Sequence, residues 1–189
     1  MQLENYDEIM LEYESKLDER IERLKYEYST IRAGRANARM LDKITVDYYG
    51  AQTPINQMAN ISVPEARMIL ISPWDINMVK EINKAIQASD LGVNPSDDGR
   101  IIRLVFPMLT EERRKEIVKT VKKVCEEIKI GLRNERRDVL EIFKKAEKDK
   151  LMSEDDKKFA ESEVQKLIDK YNAQADSICA AKEKEVLEI

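Results

Sequence analysis

Residues 101–116, IIRLVFPMLTEERRKE, change texture half-way along. Ile102, Leu104 and Phe106 alternate with Ile101, Arg103 and Val105, the two-residue period of a strand with one face in a core. Pro107 ends that run. Thr110-Glu111-Glu112 then offers a hydroxyl able to cap a helix and two acids at the positive end of its dipole. From there Ile117, Val121, Val124, Ile128, Leu132, Val139 and Ile142 recur at helical spacing to about Lys148. At ~1.5 Å per residue that rod is about 60 Å long. A chain that leaves a short strand for such a rod is passing from one domain to another.

Working outward, the segment before Pro107 reads as a small mixed unit. Alternation over Ile44–Tyr48 predicts a strand, closed by Gly50-Ala51, and further strands are expected at 58–62 and 67–72. Ser72-Pro73-Trp74-Asp75 supplies helix-start chemistry for a helix to about Ala88, and Ser96-Asp97-Asp98-Gly99 a turn. Upstream, Met10, Tyr13, Leu17, Ile21, Leu24, Tyr28 and Ile31 mark one face of a helix of roughly 40 Å at ~1.5 Å per residue. Downstream, Ser153 with Asp156 three residues on opens a third helix seamed by Val164, Leu167, Tyr171, Ala175 and Ile178. Three long amphipathic helices must cover one another's apolar stripes. The expected fold is therefore α+β: a discontinuous three-helix bundle, 1–30 and 108–189, carrying an inserted β/α/β domain at 31–107. Two strands of chain, near 31–37 and 105–109, would join them as a hinge of an L-shaped molecule, with Ala33, Gly34 and Pro107 in it.

The composition argues against most chemistry. Histidine is absent, which removes the commonest general base and zinc ligand. There is no P-loop, no nucleophile–base spacing, and Asp97-Asp98 beside Gly99 lacks the spacing of a calcium loop. No catalytic residue, metal or cofactor is expected, and the chain reads as no enzyme. No stretch of about 18 apolar residues and no secretory signal are present, so the expected compartment is the cytoplasm. Cys125 and Cys179 read as two buried reduced thiols, and Trp74 as an anchor of the small domain.

Charge is unevenly spread. Residues 1–30 carry four Lys/Arg against nine Asp/Glu, residues 110–150 fourteen against ten, and residues 151–189 six against ten. On a helical wheel at ~100° per residue, Lys115, Lys119, Lys122, Lys129, Arg136, Arg137 and Lys144 cluster around Arg133, opposite the apolar stripe. Glu111 and Glu126 are the acids that intrude. Such a ridge is either a solvated face or a track for a phosphate backbone, which guanidinium forks bind bidentately. A rod suits the surface of folded RNA better than DNA, for which no helix-turn-helix or finger spacing exists, and no membrane contact is expected. Arg32 and Arg35, flanking Gly34, add positive charge near the expected hinge or complement a helix C-terminus. A monomeric RNA-binding protein is the main expectation. The alternative is a coiled-coil interaction or chaperone-type protein, which needs an exposed apolar stripe or stable oligomers.

IRAGRAN (31–37), DLGVNPSDDGRIIRLVFPMLTEERRKE (90–116), RNERRD (133–138), SEDD (153–156) and VQKLIDK (164–170) together resemble the ribosome recycling factor family, over nearly the whole chain and in order. The resemblance implies a translation factor that acts after peptide release. It would bind large-subunit rRNA and, with elongation factor G and GTP, split the ribosome so that mRNA and tRNA leave. It implies RNA contacts at Arg32, Arg35, Arg133 and Arg136, to which the ridge adds Lys122, Lys129 and Arg137. Glu135 departs from the family pattern, where an apolar residue is usual, and it falls near the core stripe. Its charge is expected to reach a basic partner or the bundle edge.

Overall fold

The computed structural model describes residues 5–32 and 34–187, and within them the chain forms two compact units. The first comprises residues up to Glu27 together with Val118–Lys184. It holds most of three helices: α1 (Tyr6–Thr30), α3 (Glu111–Lys148) and α4 (Glu154–Leu187). Their seams bury Tyr13, Leu17, Ile21 and Leu24 of α1, Val121, Ile128, Leu132, Val139 and Phe143 of α3, and Ala160, Val164, Ile168, Tyr171 and Ala175 of α4. Both anticipated N-terminal caps form. Thr110 Oγ1 accepts from the Arg113 amide at 3.2 Å, and Ser153 Oγ accepts from the Asp156 amide at 3.1 Å while donating to its carboxylate at 2.8 Å.

The seams differ from the sequence expectation in phase. Ile142 is exposed and Phe143 takes the core position, its ring 5.8 Å from that of Tyr6. On α4, Ile168 and Cys179 are buried while Leu167 and Ile178 are only partly covered. In both helices the adjacent pair straddles the stripe edge, and the neighbouring helix decides which member is covered.

The second unit spans Tyr28–Ile117, with residues 185–187. A four-stranded antiparallel sheet, in the order β3 (Ala59–Glu65), β4 (Met68–Pro73), β6 (Ile102–Val105), β5 (Pro95–Asp97), shares one core with α2 (Val79–Gln87). Ile102, Leu104 and Phe106 face inward as their alternation requires, and Val105 faces out. A separate hairpin pairs β1 (Thr45–Tyr48) with β2 (Ala51–Pro54), a strand that the sequence reading missed. Its two-residue turn, Tyr49-Gly50, has both φ angles positive, at 49° and 86°. That geometry matches the strand twist and favours glycine at the second position. The helix start also lies later than expected. Pro73 closes β4, and Asp75 caps a short 3-10 turn, Ile76–Met78, by accepting from the Asn77 amide at 3.0 Å. Trp74 is not the anchor of the small domain that the sequence suggested: it is 73% exposed.

Candidate nucleic-acid interface

The ridge cations of α3 point away from its apolar seam, and five of those eight meet acids. Lys115 pairs with Glu111 at 2.9 Å and Arg133 with Glu126, the two acids anticipated on this face. α4 supplies the rest: Lys122 reaches Glu183 at 3.6 Å, Lys129 pairs with Asp176, and Arg136 Nε donates to Gln165 Oε1 at 3.1 Å. Arg137 lies 3.6 Å from its neighbour Asp138. Lys119 and Lys144 are exposed and form no ion pair among the described residues. The acids and amide from α4 are the part of this face that reading α3 alone could not reveal. A signal existed, since Asp176 and Glu183 are seven residues apart and so share one face of their own helix.

These contacts define an antiparallel register in which 122 faces 183, 129 faces 176, 136 faces 165 and 147 faces 157. Cys125 and Cys179 occupy facing positions in this ladder, with Cα atoms 6.3 Å apart, and they are bonded as a disulfide. The expectation of two separate reduced thiols is therefore corrected. Each cysteine lies on a buried stripe of its own helix, and the register brings the two stripes together.

Glu135 meets the expectation set for it. Arg20 of α1 donates to Glu135 Oε1 from Nη2 at 2.6 Å and from Nε at 3.2 Å. Gly131, one turn earlier on α3, makes this possible: a Cβ there would lie 3.2 Å from the Arg20 Cδ and Nε. The guanidinium crosses α3 where the helix has no side chain.

The two arginines near the end of α1 differ. Arg32 stacks on the Phe106 ring, 4.9 Å from its centroid, and donates to the Pro107 carbonyl. Burial, and secondarily Arg67, lowers its pKa below the ordinary guanidinium value. Arg35 is exposed. Gly34 follows α1 closely, and Ala33 lies outside the described residues. The Asp97–Gly99 segment is a turn: Asp98 Oδ1 accepts from the Ile101 and Arg100 amides, which hold its carboxyl below the usual carboxylate range. Among the described residues no cluster able to hold a metal occurs, and no helix is long and apolar enough to cross a membrane.

The ribosome recycling factor family's sequence pattern matches residues 24–187. The chain belongs to the ribosome recycling factor family. Curated members of the family are close to it throughout. The ribosome-recycling factor of Caldicellulosiruptor bescii is 59% identical over 176 residues, covering 93% of this chain and 96% of that protein. That of Clostridioides difficile is 55% identical over 182 residues, covering 96% and 98%. Among solved structures, a solution structure of the ribosome recycling factor aligns with TM-score 0.74 and 39% identity over 98% of this chain and 99% of that one. A second aligns with TM-score 0.65 and 41% identity, covering 96% and 98%. It is described as models for the T. thermophilus ribosome recycling factor and the E. coli elongation factor G bound to the E. coli post-termination complex. The helical bundle and the small β-rich unit are thus the family's fold, as the resemblance implied.

Proposed function

We infer that this chain recycles ribosomes after translation termination, acting with elongation factor G and GTP to split the post-termination ribosome and release mRNA and tRNA. On this reading it catalyses no bond chemistry, works in the cytoplasm as a monomer, and supplies binding energy and shape while the partner GTPase supplies GTP hydrolysis. The observation that carries the RNA-binding part is the outward row of Lys122, Lys129, Arg133, Arg136 and Arg137 on one face of α3. Surface and half-exposed contacts of this kind are each worth on the order of 1 kcal/mol. A phosphate can therefore replace the carboxylate partners of Lys122, Lys129, Arg133 and Arg137 and the Gln165 amide oxygen to which Arg136 donates. Arg35 adds an exposed guanidinium, whereas Arg32 would contribute through the packing of Phe106 and Pro107.

The test replaces Arg133 and Arg136 by Glu and measures sedimentation with large ribosomal subunits. An affinity loss of at least about tenfold is expected, with a shallower salt dependence and a nearly unchanged melting curve. Equal affinity for the variant would defeat the assignment.

The same reading makes 31–37 and 105–109 a hinge between a bundle of residues 1–30 and 108–189 and an inserted domain of 31–107, with Ala33, Gly34 and Pro107 in the hinge. Arg32 supports it: by binding the Pro107 carbonyl it ties the two connecting segments to each other, so that they would move as one ribbon. Solution scattering should require more than one domain orientation. A single rigid arrangement that fits at every temperature would remove the hinge.

A further inference from the structure

The Cys125–Cys179 disulfide lies between α3 and α4 at the edge of the proposed RNA-binding face. It is flanked one turn away on each side by an α3–α4 ion pair, Lys122–Glu183 and Lys129–Asp176. An open groove of about 500 Å³ runs over it, lined by Lys122, Glu126 and Lys129 of α3 and by Asp176 and Glu183 of α4. Cys125 and Cys179 are nearly buried, 8% and 5% exposed, and both line the groove, which is the side from which a small reagent would approach the sulfurs.

The position within the hairpin matters more than the bond itself. α3 and α4 are joined through the short turn 149–153, which fixes that end covalently. At the other end the helices are held by packing and by ion pairs that each join one exposed and one half-buried side chain, contacts of modest strength. The disulfide, closing a sequence separation of 54 residues, is the covalent tie at that open end. Lys122 and Lys129, two cations of the proposed interface, stand beside it.

We propose that Cys125 and Cys179 form a redox-responsive staple, exchanging with low-molecular-weight thiols and disulfides through the groove, that fixes the open end of the α3–α4 hairpin and so preorganises the RNA-binding face. Closure begins when the thiolate of one cysteine attacks a sulfur of a small disulfide, RSSR. This forms a mixed disulfide and releases RS⁻. The second cysteine's thiolate then attacks the protein-bound sulfur of that mixed disulfide and expels the other RS⁻. The two thiol protons end on the two departing thiolates, and two electrons pass from the cysteine pair to RSSR. Reduction by excess RSH runs the same steps backwards. With the staple open, the end of the hairpin frays, and binding RNA must order it again at a cost in affinity.

This inference rests on the RNA-binding reading for its effect on affinity, but not for the staple itself. The full-length chain, equilibrated with oxidised or reduced glutathione, is assayed for free thiols by mass, for amide exchange in 118–125 and 179–184, and for sedimentation with large ribosomal subunits. The expected result is closure in oxidised glutathione, slower amide exchange at the open end when closed, and binding about threefold tighter than in the reduced form. A Cys125→Ser/Cys179→Ser variant should behave like the reduced form and ignore both reagents. Two free thiols persisting in excess oxidised glutathione, or exchange rates equal in both states, would overturn the staple. Equal affinity of the two forms would overturn its effect on the interface. Closure with slowed exchange, but no ribosome binding in either state, would leave the staple standing and remove the RNA-binding reading.

Discussion

At the scale of single residues, the bundle accommodates a carboxylate near its apolar stripe, where an apolar side chain is the ordinary choice. Glu135 is 14% exposed and Arg20 34%, so their pair is more costly to break than a surface pair and less desolvated than a core one. Arg20→Ala leaves the carboxylate without its partner and should destabilise the chain by about 2 kcal/mol. Gly131 is part of the same device. In a helix interior glycine costs about 1 kcal/mol relative to alanine, but here the missing Cβ lets the arginine pass. Gly131→Ala should therefore gain about 1 kcal/mol in the Arg20→Ala background and little or nothing when Arg20 is present. Denaturant melts of the two singles and the double test this. Additive effects would mean that Arg20 does not need the space. Glu135 was legible as an anomaly in the sequence. Its partner was not, because Arg20 lies 115 residues away on a helix whose register against α3 no local pattern reveals.

Between elements, α1 and α4 are fastened by a buried phenol. Tyr171 donates to Asp18 Oδ1 at 2.5 Å. Burial first, and then the bond to Asp18, raises its pKa above the ordinary 10.0. Tyr13 on α1 is pushed up to about 12, chiefly by burial, with Arg136 opposing and Glu135 adding to the rise. A phenol whose folded pKa exceeds its unfolded one contributes stability that is complete below about pH 10 and is lost as pH rises beyond it. Thermal stability should fall above that pH as both phenols come under pressure to ionise. Tyr171→Phe keeps the ring, loses the hydrogen bond at a cost of about 1 kcal/mol near neutrality, and should flatten the alkaline decline. An alkaline profile identical to the parent's would show that Tyr171 takes no part in it. Helix spacing made most of these elements legible: the seams at Leu17, Ile21 and Leu24, the caps at Thr110 and Ser153, and the inward face of β6 were all readable. The errors fall where a partner decides. Ile142 and Phe143 both border the stripe, and Tyr6 on α1 packs against the second. Cys125 and Cys179 looked unrelated because a separation of 54 residues carries no information until the α3–α4 register is known. The β1–β2 hairpin was missed because Ala51–Pro54 is too short and too polar to show alternation.

At the scale of the whole molecule, a chain of net charge −4 would, on the proposed reading, meet a polyanion chiefly through one face of α3. Long-range repulsion opposes approach, and salt weakens that repulsion and the local attraction alike. Two of the negative charges on the proposed interface come from α4. Asp176 and Glu183 of α4 neutralise Lys129 and Lys122, and each must give way before its lysine can meet a phosphate. Each pair joins one exposed and one half-buried side chain, so each contributes on the order of 1 kcal/mol to the fold. Asp176→Asn together with Glu183→Gln keeps similar shapes, raises the net charge from −4 to about −2, and frees two cations. If the acids compete with RNA, this double variant should bind large ribosomal subunits about threefold or more tightly, with a steeper loss of affinity as salt rises, because more counterions are displaced from the phosphates. The melting temperature should change little. Weaker binding at an unchanged melting temperature would show instead that the acids position the lysines. Unchanged affinity and salt slope would remove Lys122 and Lys129 from the interface while leaving the arginines in place. The substitutions separate those outcomes because they alter the partner of each cation and never the cation itself.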